Sequence, residues 1–265
     1  MEMRILFIGD IVGKPGRKCV KEIVPHLRKE KGLDLVVANG ENAAGGSSLT
    51  PDTAKELFRG GVDVLTSGDH IFKKKEAKDV LEKMEVIRPL NYGEFAWGRG
   101  YIIKDVKGIK VGIVNLLGRV FMSPVDCPFK AIRSVLDELK KRAKIILVDM
   151  HAEATSEKLA MGFFLASQVT AVVGTHTHIP TADERIIDGF TAYITDVGMT
   201  GSFDSVLGRE KHCVIQRFIT NMPTRFNLAQ DDLRMQTVYI EVDDYTAKAL
   251  VIKRLEYKVG AAKSG

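Results

Sequence analysis

Val169-Thr170-Ala171-Val172-Val173-Gly174-Thr175-His176-Thr177-His178 is a short, β-branched run that ends in two histidines. Its composition reads as a buried strand, with Gly174-Thr175-His176-Thr177-His178 as the exit. Residues i and i+2 of an extended segment point the same way, so both imidazoles can reach ions held in one cavity at the strand's carboxyl end. Taken alone, the pair also fits a surface loop. The rest of the chain decides between the two.

Working outward, the same pattern recurs. Residues 3–8 form an apolar strand that breaks at Gly9-Asp10, after which Gly13, Pro15 and Gly16 turn the chain into a helix reaching Glu30. Residues 33–38 end in Asn39-Gly40-Glu41-Asn42, and a loop with Gly45 and Gly46 leads to Thr50-Pro51, a helix N-cap and first helical residue. Residues 62–66 exit through Gly68-Asp69-His70 into a charged helix from Lys73. Residues 100–106 and 109–115 predict an antiparallel hairpin turning at Lys107-Gly108. Residues 145–150 deliver His151, and 155–166 are helical before the strand quoted above. Beyond His178 the pattern changes to strands at 190–195, 213–220, 235–242 and 249–255, with a loop at 196–201 between the first two. The prediction is a single α/β domain over residues 1–259, with a two-sheet core and helices outside, and a frayed tail at 260–265.

Composition narrows the class. A chain of 265 residues, 45% hydrophobic and 28% charged, is long enough to bury a large core and has the balance of a soluble globular protein. The net charge of +5, from 39 basic and 34 acidic side chains, requires no nucleic-acid or membrane partner but favours an anionic small substrate. Cys19, Cys127 and Cys213 are odd in number and widely spaced, which predicts reduced thiols. The apolar run at residues 5–8 is too short for a signal peptide, and no run approaches ~18 apolar residues, so a cytoplasmic location without a membrane span is expected.

Four histidines, His70, His151, His176 and His178, lie at strand exits, whereas His26 falls in a helical run and His212 at the start of a late strand. With Asp10, Glu41, Asn42 and Asp69 they can meet over one edge of the sheet, where ligands of α/β proteins bind. Singly, each has a local reading: Asp10 as a turn former, Glu41-Asn42 as loop, Asp69-His70 as a helix cap. Jointly, carboxylate, amide and imidazole donors too many for one ion suit two adjacent transition metals. A close pair of metals suits hydrolysis at phosphorus.

These blocks carry a resemblance. Gly9-Asp10, Gly40-Glu41-Asn42, Gly68-Asp69-His70, His151 and Gly174-Thr175-His176-Thr177-His178 follow the order of the metallophosphoesterase (calcineurin-like) superfamily. Gly9-Asp10-Ile11-Val12-Gly13, Asn39-Gly40-Glu41-Asn42-Ala43-Ala44-Gly45-Gly46, Arg88-Pro89 with Asn91-Tyr92, and residues 192–201 are similar to its YmdB-like phosphodiesterase branch. The resemblance implies a four-layer αββα sandwich, two mixed sheets flanked by helices, with a di-iron or di-manganese centre. By that likeness Asp10, Asn42 and His178 hold one metal, Asp69, His151 and His176 the other, and Glu41 bridges them. His70 stands beside the phosphate as general acid. The branch hydrolyses 2′,3′-cyclic nucleotides, and some members act on 3′,5′-cyclic nucleotides and influence RNA turnover.

Two positions depart from the pattern. Val12 stands where the wider superfamily has the histidine of Asp-x-His, and Asn42 takes over as ligand, as in the YmdB-like branch. Asp69 stands where the family has asparagine; its extra charge should hold metal more tightly and lower its Lewis acidity.

The expected reaction is in-line attack on phosphorus by water activated between the metals, with His70 protonating the departing 2′-oxygen. No substrate-binding residue is predicted. A phosphomonoesterase, an RNA-processing nuclease and a regulatory protein without turnover are the rival readings. For RNA, Lys73-Lys74-Lys75 beside His70 is the candidate basic groove, and it also reads as a solvated helix start. Expected partners are a small cyclic nucleotide or phosphodiester, RNA as a further candidate, no membrane, and a second copy of the chain in a dimer or tetramer.

Overall fold

Strands whose two faces are both apolar must be covered on both sides, and this one requirement sets the layers. The computed structural model describes residues 2–260. The chain begins β1 (Glu2–Ile8), β2 (Asp10–Ile11), α1 (Gly13–Lys31), β3 (Leu35–Asn39), α2 (Pro51–Arg59), β4 (Val64–Thr66), a 3-10 turn at Ile71–Lys73 and α3 (Ala77–Lys83). It continues β5 (Tyr101–Val106), β6 (Ile109–Leu117), α4 (Pro128–Arg142), β7 (Ile145–His151), α5 (Thr155–Phe164), β8 (Ala171–Thr175), β9 (Arg185–Ile187) and β10 (Thr191–Ile194). β11 (Met199–Ser202), α6 (Lys211–Thr220), β12 (Leu233–Asp243) and β13 (Ala249–Lys258) complete it.

The first sheet runs β2-β11-β12-β1-β3-β4, with β13 paired to β12. In it β1, β3 and β4 are parallel, and β12 is antiparallel to β1. The second runs β5-β6-β7-β8-β10-β9, parallel from β6 to β10 with antiparallel edges. Alternate residues divide the packing. Ile5, Phe7 and Val37 meet Ile113, Leu147 and Val173 between the sheets. Leu6, Ile8 and Val36 turn the other way, under Val20 and Val24 of α1 and Leu57 of α2. Val114, Ile146 and Val148 likewise lie under Ile132 and Leu136 of α4 and Met161 of α5. The result is the four-layer αββα sandwich. Each such fully buried side chain contributes about 1.5–3 kcal/mol.

The helix start at Thr50-Pro51 is as the sequence predicts: the Thr50 hydroxyl accepts the Thr53 N–H at 3.4 Å, and the Thr53 hydroxyl accepts the Thr50 N–H at 2.9 Å. Other features differ from the sequence pattern. Residues 213–220 lie in α6, not in a strand. Their apolar members, Val214, Ile215, Phe218 and Ile219, repeat at i and i+4, which is helical spacing, so β-branched composition misleads there. The charged helix expected from Lys73 starts at Ala77, after the 3-10 turn. β11 occupies part of the 196–201 loop, β10 pairs in parallel with β8, and α4 spans a stretch for which the pattern predicts no element. Residues 261–265 of the predicted tail lie outside the described residues. No helix among the described residues is long and apolar enough to cross a membrane.

Candidate metal centre

The carboxyl ends of the inner strands of both sheets open onto one place. β1 leads through Gly9 to Asp10, β3 to Glu41 and Asn42, β4 to Asp69 and His70. From the other sheet β7 ends on His151, and β8 leads to His176 and His178. Gly68 is required by the crowding: a Cβ there would run into His151 Nε2 and Glu41 Oε2.

Glu41 occupies the middle. Its Oε1 lies 3.2 Å from His151 Nε2 and accepts from Asn42 Nδ2 at 3.0 Å, while Oε2 accepts the His70 backbone N–H at 3.1 Å. On one side, Asp69 Oδ1 is 3.4 Å from His151 Nε2 and 3.7 Å from His176 Nδ1. Donor atoms of Glu41, Asp69, His151 and His176 lie within 4.8 Å of one another, a group that could hold a metal ion. On the other side, Asp10 Oδ1 is 3.8 Å from His178 Nε2, itself 3.2 Å from Asn42 Nδ2. All seven side chains predicted as ligands therefore converge. The Asn42 amide presents nitrogen to Glu41 and His178 and oxygen to His70; as a ligand it would present oxygen, the opposite face of the same amide. His70 stands at the opening, its side chain 37% exposed against 0% for His151, with Nδ1 2.9 Å from Asn42 Oδ1.

Two observations fit this set to a cation. Buried Asp10 Oδ1 and Asp69 Oδ1 have no hydrogen-bond partner, an arrangement that is costly without a counter-charge. The titration pattern agrees. Burial pushes the Asp10 carboxyl up to about 7, with Glu41 and Asp196 adding to the shift and His151 opposing it. Burial would raise Glu41 too, but the charge and hydrogen bond of His151 outweigh it and hold Glu41 below its ordinary value. Asp69 is also held low, its burial outweighed by the close approach of His151 and the charges of three histidines. Burial pulls His151 down, yet Glu41, Asp69 and Asp10 together hold its imidazole well above the ordinary range. His176 falls to about 4, from burial and the neighbouring His151 charge. A divalent ion on these atoms would take the place of the His151 proton with twice the charge.

Behind the imidazoles stand polar groups that the sequence reading does not identify. His151 Nδ1 is 2.9 Å from Thr175 Oγ1, which donates to Asp149 Oδ1 at 2.7 Å. A hydroxyl has one proton, so Thr175 accepts from His151 Nδ1–H, and Nε2, facing Glu41 and Asp69, is the atom that would bind a metal once its own proton is displaced. Asp149 Oδ2 is held by Thr66 Oγ1 at 2.5 Å and Asn39 Nδ2 at 3.1 Å. Its only sequence signal is an acid inside an otherwise apolar strand.

The exit of β8 is strained, with His176 at φ +103° and His178 at φ +65°. Such left-handed residues cost of order 1–3 kcal/mol each and persist where the surroundings enforce them. Here Asp196 enforces them. Its Oδ2 accepts from Thr177 N at 3.0 Å, Thr177 Oγ1 at 2.8 Å and Lys158 Nζ at 2.7 Å, and its Oδ1 from Gly198 N at 2.8 Å. Lys158 and Asp196 are both buried, a pair that locks the loop between the two histidines. His26 and His212 are exposed on α1 and α6, away from this edge; His212 begins a helix rather than the predicted strand.

The fold and this edge of carboxylate, amide and imidazole donors define a metallophosphoesterase. The chain belongs to the YmdB-like protein family, which it matches over residues 6–255. It is 45% identical, over 254 residues and 96% of each chain, to the 2′,3′-cyclic-nucleotide 2′-phosphodiesterase of Bacillus subtilis (strain 168). Its structure superposes with a TM-score of 0.92 on a hypothetical protein from Thermus thermophilus, 39% identical, covering 97% of this chain and 99% of that one. A crystal structure of a novel phosphatase from Mycoplasma pneumoniae gives 0.91 at 34% identity, covering 97% and 94%.

Proposed function

We propose that the protein is a metal-dependent phosphodiesterase that opens 2′,3′-cyclic nucleotides at the 2′-oxygen. The observation that carries this is Glu41 lying between two donor groups, Asp10–Asn42–His178 and Asp69–His151–His176, with His70 beside them at the opening. In this reading each group holds one iron or manganese ion and Glu41 is shared. Bound there, the ions supply Lewis acidity and a water that is nucleophilic at neutral pH. The activity of the Bacillus subtilis relative supports the substrate class.

The chain's own groups supply the rest. Water oxygen bonds to phosphorus as the bond to the 2′-oxygen breaks, and that oxygen must leave with a proton. In this reading His70 gives it from Nε2, supported by the engagement of its Nδ1 with Asn42 and by its partly exposed ring at the opening. The product is a 3′-nucleotide. Lys158–Asp196 and Thr175–Asp149 hold the three imidazoles in place while charge moves at the centre.

The test is turnover of 2′,3′-cyclic AMP by manganese- or iron-loaded protein, with the products separated. Release of 3′-AMP is expected; 2′-AMP, or no turnover with either metal, would contradict the reading. Bis-nitrophenyl phosphate should be preferred over nitrophenyl phosphate, and the reverse preference would make the protein a phosphomonoesterase. Work in the cytoplasm and assembly as a homo-oligomer belong to the same reading; light scattering reports the second.

A further inference from the structure

On the His70 side of the opening, lysines border a cluster of aromatic rings. Phe72 packs edge-on against Tyr92, ring centroids 5.0 Å apart, and against Trp97 at 6.1 Å, while Lys78 Nζ lies 5.7 Å from the Trp97 ring centre. Lys73 and Lys75 flank this cluster in the open, and neither they nor Lys74 has an acidic partner among the described residues. Tyr92 then forms one wall of a cavity of about 660 Å³, whose other walls include Arg119 and Lys130. Glu94 and Asp126 also line it, and the Arg88 guanidinium there is spent on the Pro89 and Leu90 carbonyls. The cavity adjoins the metal-ligand edge: Gly118, next to Arg119, donates its N–H to the His151 carbonyl at 2.9 Å.

Two further rings stand in the loops that wall this cavity. Phe121, two residues from Arg119, is 91% exposed and held at φ +60°, and Phe95, next to Glu94, is 91% exposed. A bulky aromatic in the left-handed region is strained, and here no apolar burial offsets the strain. A cyclic mononucleotide has one base and one phosphate, fewer groups than this tract can engage. Exposed rings spaced among unpaired cations instead match a single strand, with bases stacked on rings and phosphates on lysine and arginine.

We infer that the substrate this centre favours is the 3′ end of an RNA strand closed in a 2′,3′-cyclic phosphate. The preceding nucleotides lie along the tract from Lys73 past Tyr92 to Arg119 and Phe121. The inference rests on the phosphodiesterase reading above and names its substrate class.

The test compares a short labelled oligoadenylate ending in 2′,3′-cyclic phosphate with 2′,3′-cyclic AMP on the manganese-loaded full chain, by kcat/KM and by fluorescence anisotropy. At low salt the oligonucleotide should lead by about tenfold or more in kcat/KM, as stacking and phosphate contacts predict, and lose that lead as salt rises. Phe121→Ala and Arg119→Gln should each cut the oligonucleotide-to-mononucleotide ratio several-fold, and K73Q/K74Q/K75Q should flatten its salt dependence. Equal kcat/KM for the two substrates, or a ratio unmoved by all three variants, overturns the inference while leaving the phosphodiesterase reading intact. Turnover of neither substrate overturns that reading instead. Anisotropy then decides for the tract: oligonucleotide binding weakened by the variants supports it, and binding that is absent or indifferent to them overturns it.

Discussion

The two sheets reach the candidate metal centre by different means. The first supplies Asp10, Glu41, Asn42 and Asp69 from short turns after β1, β3 and β4, where backbone placement does most of the work. The second supplies His151, His176 and His178, backed by buried polar groups: Thr175 and Asp149 behind one ring, the Lys158–Asp196 pair behind the loop that carries the other two. The difference follows from the donors. A carboxylate offers two equivalent oxygens and tolerates rotation, whereas an imidazole must present one lone pair in one plane, so its other nitrogen or its backbone needs a fixed partner.

The largest expected effect separates His70 from both groups. His70→Ala should lower kcat for 2′,3′-cyclic AMP by about 10²–10⁴-fold with metal content unchanged, measured by steady-state kinetics and elemental analysis. Loss of metal in that variant would move His70 among the ligands. Next, Asp196→Ala strands a buried lysine and frees the strained loop. Its unfolding free energy should drop by about 3–5 kcal/mol in a denaturant titration, and an unchanged midpoint would show that the second sheet needs no such support. Asp149→Asn should weaken metal binding by about 10–100-fold in a chelator competition, since the Thr175 hydroxyl that accepts from His151 Nδ1 loses the carboxylate that orients it. The smallest change belongs to the first sheet. Asp69→Asn keeps a donor oxygen and removes one charge, so it should loosen the metal by less than about tenfold and raise kcat. A collapse of metal binding there would mean that the first sheet depends on donor identity as strictly as the second.

The same contrast explains what could be read from the chain. Asp10, Glu41, Asn42, Asp69, His70, His151, His176 and His178 each follow an apolar strand directly, so periodicity and a change of residue type mark them. The two-sheet core with helices outside was legible for a related reason, because strands apolar on both faces need cover on both; its four-layer form came from the family resemblance. Asp196 and Lys158 are 38 positions apart, and Thr175 and Asp149 are 26 apart. No local pattern pairs such residues; only the folded sheet brings them together. The tract from Phe72 to Phe121 was legible only as its lysine run, since Tyr92, Arg119 and Phe121 join it through loops with no periodicity. α6 was misread where β-branched composition concealed an i, i+4 repeat.

The paired arrangement of donors around Glu41 is tested most directly by counting metal ions per chain after loading with manganese or iron, in the wild type and in His178→Ala. Two ions in the wild type and one in the variant is the expected result. A single ion in the wild type, unaffected by His178→Ala, would contradict it.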